Sequence, residues 1–222
     1  MILAAHQPQF MPWLGYFDKM RASDVFVLLD SVQYKKNEWQ NRNKILTPQG
    51  PRWLTVPVVH EFGEKITEVR INDEAAWKPK HLKTLAQSYS KADFFSSLMP
   101  ELEKFYGVDY CHLSEIAIAS VRFLAGRLRL VKQCPLLSEN PVEGSATQRL
   151  VSLCRRFQAD TYLAGSGGKD YMDMPLFEKA GIRVVFQEYK HPSYNQFSRD
   201  FTPCLSALDL MFHAGDKAFE IY

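Results

Sequence analysis

His6, Gln7, Trp13 and Tyr16 fall within the run HQPQFMPWLGY, directly after a short apolar segment. An imidazole can take or give a proton near neutral pH, and an amide can both donate and accept hydrogen bonds. Indole and phenol rings can stack on a base or a sugar. The plain alternative for this run is a packed histidine under an aromatic, proline-bent turn. A second cluster holds Asp30, Gln33, Trp39, Arg42 and Asn43, with Lys35 and Lys36 between them. The Arg42 guanidinium can fork onto a phosphate or carboxylate. Asp30 can take a proton, bind a hydroxyl or hold a metal, whereas a solvated loop is the bland reading of the whole segment. The third cluster is GSGGKDY, with Ser166, Gly167, Gly168, Lys169, Asp170 and Tyr171. Its glycines let backbone amides approach an anion, and Lys169 adds charge; a simple strand-to-helix turn is the alternative. Further on, His191, Tyr194 and Gln196 lie in an irregular stretch before Asp209. They are either ligand-facing groups or a clasp that stabilises the fold.

The elements that must position these groups follow from periodicity. Residues 2–6 read as a buried strand, and Pro8 and Pro12 then force an irregular loop. A helix is expected over 14–22, with Leu14, Phe17 and Met20 on one side, and a buried strand over 24–30. Strand, loop, helix and strand within thirty residues make a βαβ unit. Residues 31–46 read as a polar loop, and 52–59 with 65–71 as an antiparallel pair turning at Phe62 and Gly63. Helices are expected over 75–90, 97–105 and 112–130, and residues 133–145 read as a connector. Ser145 is placed to cap a helix running to about 158. A strand over 161–164, the glycine-rich turn, a helix near 173–180, a strand over 182–189 and a helix over 205–214 complete the reading. This alternation predicts a Rossmann-like, three-layer α/β fold with a mainly parallel sheet. Residues 1–222 are taken as a single domain with a helical insertion over about 75–131.

The bulk numbers exclude more than they select. The chain has 222 residues, 46% of them hydrophobic, enough for a core without staples. Twenty-seven basic against 25 acidic residues leave a net charge of +2, too balanced for a nucleic-acid binder. Cys111, Cys134, Cys154 and Cys204 match neither a metal knuckle nor a compact disulfide framework, so thiols in a reducing compartment are expected. His60, His81, His112 and His213 show no ligand spacing, and no metal site is expected. No signal peptide and no membrane span are expected, which points to the cytoplasm.

Taken together, HQPQFMPWLGYFDKM, DSVQYKKNEWQNRNKI, GSGGKDY and YKHPSYNQF followed by LSALDLMF resemble the WbqC-like family, over nearly the whole chain. The resemblance implies a bacterial protein of O-antigen or other surface-polysaccharide biosynthesis, with a suggested glycine-transferase role. A more distant likeness is to the nucleotidylyltransferase and pantothenate synthetase superfamily, whose His-x-Gly-His loop binds ATP phosphates. Here His6 stands for the first histidine, and Trp13, Leu14, Gly15 and Tyr16 occupy the stretch where the second belongs. SGGKD also resembles the phosphate loop of ATP pyrophosphatases, although it does not follow the first strand. Three functions compete. One is transfer of an aminoacyl or other acyl group to an amino sugar on a nucleotide-linked sugar. His6 is then the general base, grouped with Asp30 and His191, while Arg42 and Lys169 hold anions and the Gly167 and Gly168 amides face an oxyanion. The second is adenylyl transfer from ATP to a carboxylate. The third is a non-catalytic sugar-nucleotide-binding subunit. A nucleotide sugar or activated acyl donor is the expected small-molecule partner, with ATP as the alternative cosubstrate, no tightly bound cofactor, and homo-oligomerisation left open.

Overall fold

The computed structural model describes residues 1–130, 132–197 and 200–222. In chain order its elements are β1 (Ile2–His6), α1 (Leu14–Arg21), β2 (Val25–Leu28), β3 (Arg42–Thr47), β4 (Gly50–Thr55), β5 (Val58–Val59), β6 (Arg70–Ile71), α2 (Trp77–Tyr89), α3 (Phe95–Tyr106), α4 (Leu113–Arg127), α5 (Ala146–Arg156), β7 (Thr161–Ala164), α6 (Met174–Lys179), β8 (Arg183–Phe186), α7 (Ala207–Ala214) and α8 (Ala218–Ile221). They fall into two compact units. One comprises Met1–Gln7, Gly15–Ser31 and Leu130–Lys190; the other comprises Pro8–Leu14, Val32–Arg129 and His191–Tyr222.

The first unit carries the Rossmann-like α/β sheet. Its four strands run parallel in the order β2-β1-β7-β8. The register sets Ala4 beside Phe26 on one side and beside Leu163 on the other. Every residue of β2 and β7 is buried, which explains why VFVL and TYLA are continuous apolar runs rather than alternating ones. β8 forms one edge, and its residues alternate between exposed and half-buried. The other edge is covered by the connector: Gln133 and Leu136 bridge in parallel to Val25 and Leu28, and Leu28 N donates to Pro135 O at 2.9 Å. α1 buries Tyr16, Phe17 and Met20, and each such side chain contributes roughly 1.5–3 kcal/mol of burial. α5 packs on β7 and α6, and α6 packs on β8. Ser145 does stand at the N-cap of α5, but its hydroxyl makes no cap bond. The chain leaves β1 through α1 toward β2, and leaves β7 through α6 toward β8. Strand order therefore reverses between β1 and β7. In open parallel sheets, ligands seat beyond the carboxyl ends of strands at such a point.

The second unit holds the antiparallel hairpin β3–β4, the short pair β5–β6, the mid-chain helices α2 to α4, and α7 and α8. β3 corrects the polar loop predicted over 31–46. Arg42 pairs with Thr55 and Thr47 with Gly50 across a full antiparallel ladder. The strand was hidden because its inward face includes Asn43, 1% exposed, where an apolar residue would have shown the alternation. The pairing expected between 52–59 and 65–71 shrinks to Val58–Val59 with Arg70–Ile71. Residues 50–55 pair with β3 instead, and Pro57, lacking an amide, separates β4 from β5. α2 packs on α3 and β3, and α7 packs on α3, α4 and β3. Tyr89 stacks on Phe212 with centroids 4.2 Å apart and planes 8° from parallel. Among the described residues no helix is long and apolar enough to cross a membrane.

Candidate functional site

Two of the sequence clusters leave neighbouring strands of the first unit. His6 ends β1, and the glycine-rich turn begins just after β7, its parallel neighbour. Both therefore open at the same edge of the sheet, at the point of strand reversal. His6 is half-buried, with Nδ1 3.0 Å from Gln7 O. A carbonyl oxygen only accepts, so Nδ1 carries the proton and Nε2 presents the lone pair. Tyr16 packs edge-on against the imidazole at 4.9 Å, and its hydroxyl also donates to Gln7 O at 3.2 Å. Two donors thus fix the Gln7 carbonyl.

Below them lies a cation that the sequence reading left out. Lys19 is 4% exposed, and its ammonium donates to Ala5 O at 3.0 Å. Successive carbonyls of a strand point to opposite sides. His6 O accepts from Leu29 N on the β2 side, so Ala5 O points toward β7, just past the last β1–β7 pair, Ala4 with Leu163. Lys19 therefore fills the acceptor where the two strands part. Burial pulls its pKa down from 10.5 to about 8. Burial, and then the Lys19 charge, pull His6 down from 6.5 to about 3 against the Gln7 bond. Burial, with a smaller contribution from Cys134, keeps the Tyr16 hydroxyl well above its usual range. Lys19 sits between the buried Phe17 and Met20 in sequence, three residues after Tyr16, and that spacing is the signal that marks it as inward-facing.

The glycine-rich turn is a 3-10 helix over Ser166–Asp170. Gly168 N donates to Gly165 O at 2.9 Å, so that amide is spent within the turn and does not form an open nest. Gly168 is buried, and a Cβ there would meet Met172 Sδ at 2.8 Å and Ala164 Cβ at 3.2 Å, so any side chain at this position must push the methionine aside and crowd Ala164. Ser166, Gly167, Lys169, Asp170 and Tyr171 are exposed, and the Lys169 ammonium lies 5.0 Å over the Phe186 ring. Asp30 is 2% exposed, and both its oxygens are taken by Ser138, from the amide at 2.9 Å and the hydroxyl at 2.5 Å. It clasps the connector to the end of β2 rather than offering a free carboxylate.

The remaining site residues belong to the second unit. Asn43 Nδ2 donates to Met11 O at 2.7 Å, and Met11 N donates to Ser120 Oγ at 2.9 Å. Together they hold Met11 at a φ of 46°, so Asn43 positions the proline loop. Trp13 is half-buried and bridges to Ser206, while Gln33 is exposed and bridges to Lys65. Tyr194, Gln196 and Tyr89 all donate to Asp209, at 2.9, 2.9 and 2.7 Å; Asp209 is fully buried in the first turn of α7. Gln196 also bonds Thr202 through both ends of its amide. Tyr194 and Gln196 thus form the clasp alternative, ordering the irregular stretch through a buried carboxylate. His191 packs near Tyr194 and Phe201, with Nδ1 2.8 Å from Pro192 O. On the outer side of β3, the Arg42 guanidinium lies 4.4 Å over the Trp53 ring, and Trp39 packs at 5.3 Å from the same indole. Trp53 was not among the residues picked from sequence. Among the described residues, no group of three or more His, Cys, Asp or Glu side chains is arranged to hold a metal.

The family described as "WbqC-like protein family" matches residues 7–221. The chain is similar to "Uncharacterized protein Rv1507c" of Mycobacterium tuberculosis, with 32% identity over 220 residues, covering 97% of this chain and 95% of that protein. No solved structure matches.

Proposed function

The chain belongs to the WbqC-like protein family, and from that premise we propose that it is a transferase of bacterial surface-polysaccharide biosynthesis. It moves an aminoacyl group, glycyl in the simplest case, or another acyl group, onto the amine of an amino sugar carried on a nucleotide. The observation that carries this reading is the common origin of His6 and the 165–171 turn at neighbouring carboxyl ends, where strand order reverses. The amine nitrogen bonds to the acyl carbon, and His6 Nε2 takes one of its protons. The bond to the donor's leaving group then breaks, its electron pair and a proton passing to that group. His6 is neutral and weakly basic, because burial and the Lys19 charge lower its pKa to about 3. An anionic donor seated beside it raises its affinity for a proton, against the downward pull of the Lys19 ammonium. Exposed Lys169, on the turn after β7, adds positive charge for phosphates.

The test is mass spectrometry of amino-sugar nucleotides incubated with activated acyl donors and the purified chain. Replacing the general base, as in His6→Ala, is expected to slow transfer by about a hundredfold or more. Full turnover by that variant would sink the reading. Adenylyl transfer is the second reading, favoured by a histidine at the end of the first strand of a βαβ unit. Pyrophosphate–ATP exchange that depends on a carboxylic acid would put it first, and nucleotide-sugar binding without any turnover would leave a binding subunit.

A further inference from the structure

On β3 the side chains alternate. Asn43 and Ile45 are buried, while Arg42 and Lys44 share the opposite face. Trp53 on β4 stands directly across from Lys44, and its indole gathers both cations: the Arg42 guanidinium at 4.4 Å and the Lys44 ammonium at 5.0 Å. Trp39 flanks the same ring, and Trp53 is nevertheless 41% exposed. Among the described residues, no carboxylate lies within ion-pair distance of Arg42 or Lys44. One Arg42 nitrogen, Nη2, donates to Asn37 O, while Nε is buried with no acceptor. Two like charges are therefore held together beside an open aromatic face, with hydrogen-bonding capacity left unused. An apolar occupant would strand both cations, and a bare anion would leave the indole uncovered. The occupant that answers both is a sugar ring, its C–H face on the indole, bearing a phosphate.

We propose that the outer face of the β3–β4 hairpin, built from Trp53, Trp39, Arg42 and Lys44, is a binding site for a phosphorylated sugar. The pyranose face lies on Trp53, and the phosphate lies between the Arg42 and Lys44 head groups. The site deepens the proposed transferase reading by giving the sugar phosphate a seat, and it rests on that reading only for the substrate's part in turnover. Free glycosyl phosphate and the sugar-diphosphate portion of a nucleotide sugar share this chemistry.

The experiment follows the indole N–H signals of the full chain by NMR during titration with glucose 1-phosphate, UDP-glucose, glucose and inorganic phosphate. The Trp53 signal should move with glucose 1-phosphate or UDP-glucose at concentrations where neither glucose nor phosphate moves it. Which of those two binds tighter identifies the source. Trp53→Ala is expected to weaken binding by about tenfold, the loss of one aromatic face. Lys44→Gln, the milder change, should weaken it about threefold and flatten its salt dependence. Unchanged Trp13 and Trp77 signals certify the fold. Equal responses to glucose or phosphate alone, or unchanged affinity in both variants, would overturn the site. Transfer activity that survives the loss of this binding keeps both the site and the transferase but removes the site's part in turnover; binding without any transfer keeps the site and removes the transferase.

Discussion

At the end of β1 stands a neutral imidazole, a buried ammonium holds the carbonyl of the residue before it, and the protons of both are tied to folding. Unfolded, the His6 ring takes a proton below about 6.5; folded, it does so only near 3. The unfolded chain therefore binds more protons as pH falls, and the stability present above 6.5 is lost progressively toward 3. Burial holds His81 down to about 4, against its bond to Thr55 O, and acts in the same direction. Lys19 adds a separate alkaline window: stability rises between its folded value of about 8 and its ordinary 10.5. Each group contributes a slope of up to about 1.4 kcal/mol per pH unit inside its window. Urea unfolding at pH 7 and pH 5 should show the acid loss, and His6→Gln and His81→Gln should each reduce it. Equal stability at the two pH values would contradict the assignment. Lys19→Met should also raise the His6 titration point seen by NMR, because the charge opposing protonation is gone and only burial still lowers it.

Elements were legible wherever burial was uniform. The runs ILAAH, VFVL and TYLA each became a strand of the central sheet, and the glycine-rich turn fell directly after the third. β3 was not legible, because Asn43 spends its polarity on the Met11 carbonyl inside the protein and so imitates a loop residue. The same logic bears on the polar side chains. For Asp30 and Gln196 the sequence leaves ligand-facing and structural roles open, and their partners Ser138 and Asp209 carry no spacing signal that decides between them. Lys19 and Trp53 were passed over because a lysine on a short helix and a tryptophan in an alternating strand usually serve solvent and core. In the glycine-rich turn, packing rather than anion binding constrains Gly168. Gly168→Ala should therefore cost about 1–2 kcal/mol as Ala164 and Met172 give way. A thermal melt checks this, and an unchanged midpoint would show that the turn relaxes freely.

At the scale of the whole chain, each unit is assembled from three separate stretches, and the backbone passes between the two sets five times. β1 lies between β2, which follows it closely, and β7, which comes more than 150 residues later. Pairings of such separation are slow to form, since a long loop must close before any contact rewards it. A fragment of residues 1–129 holds β1 and β2 without β7 and β8, and should give no cooperative unfolding transition and be digested rapidly by protease. A protease-resistant fragment would show that the first strands suffice. On the ribosome the order of emergence is fixed, so the flank of β1 reserved for β7 must wait, apolar and unpaired, until the late segments leave the exit tunnel. In a newborn chain of this design that flank is open to wrong pairing, and a translational pause just before β7 would prolong the interval in which it can aggregate.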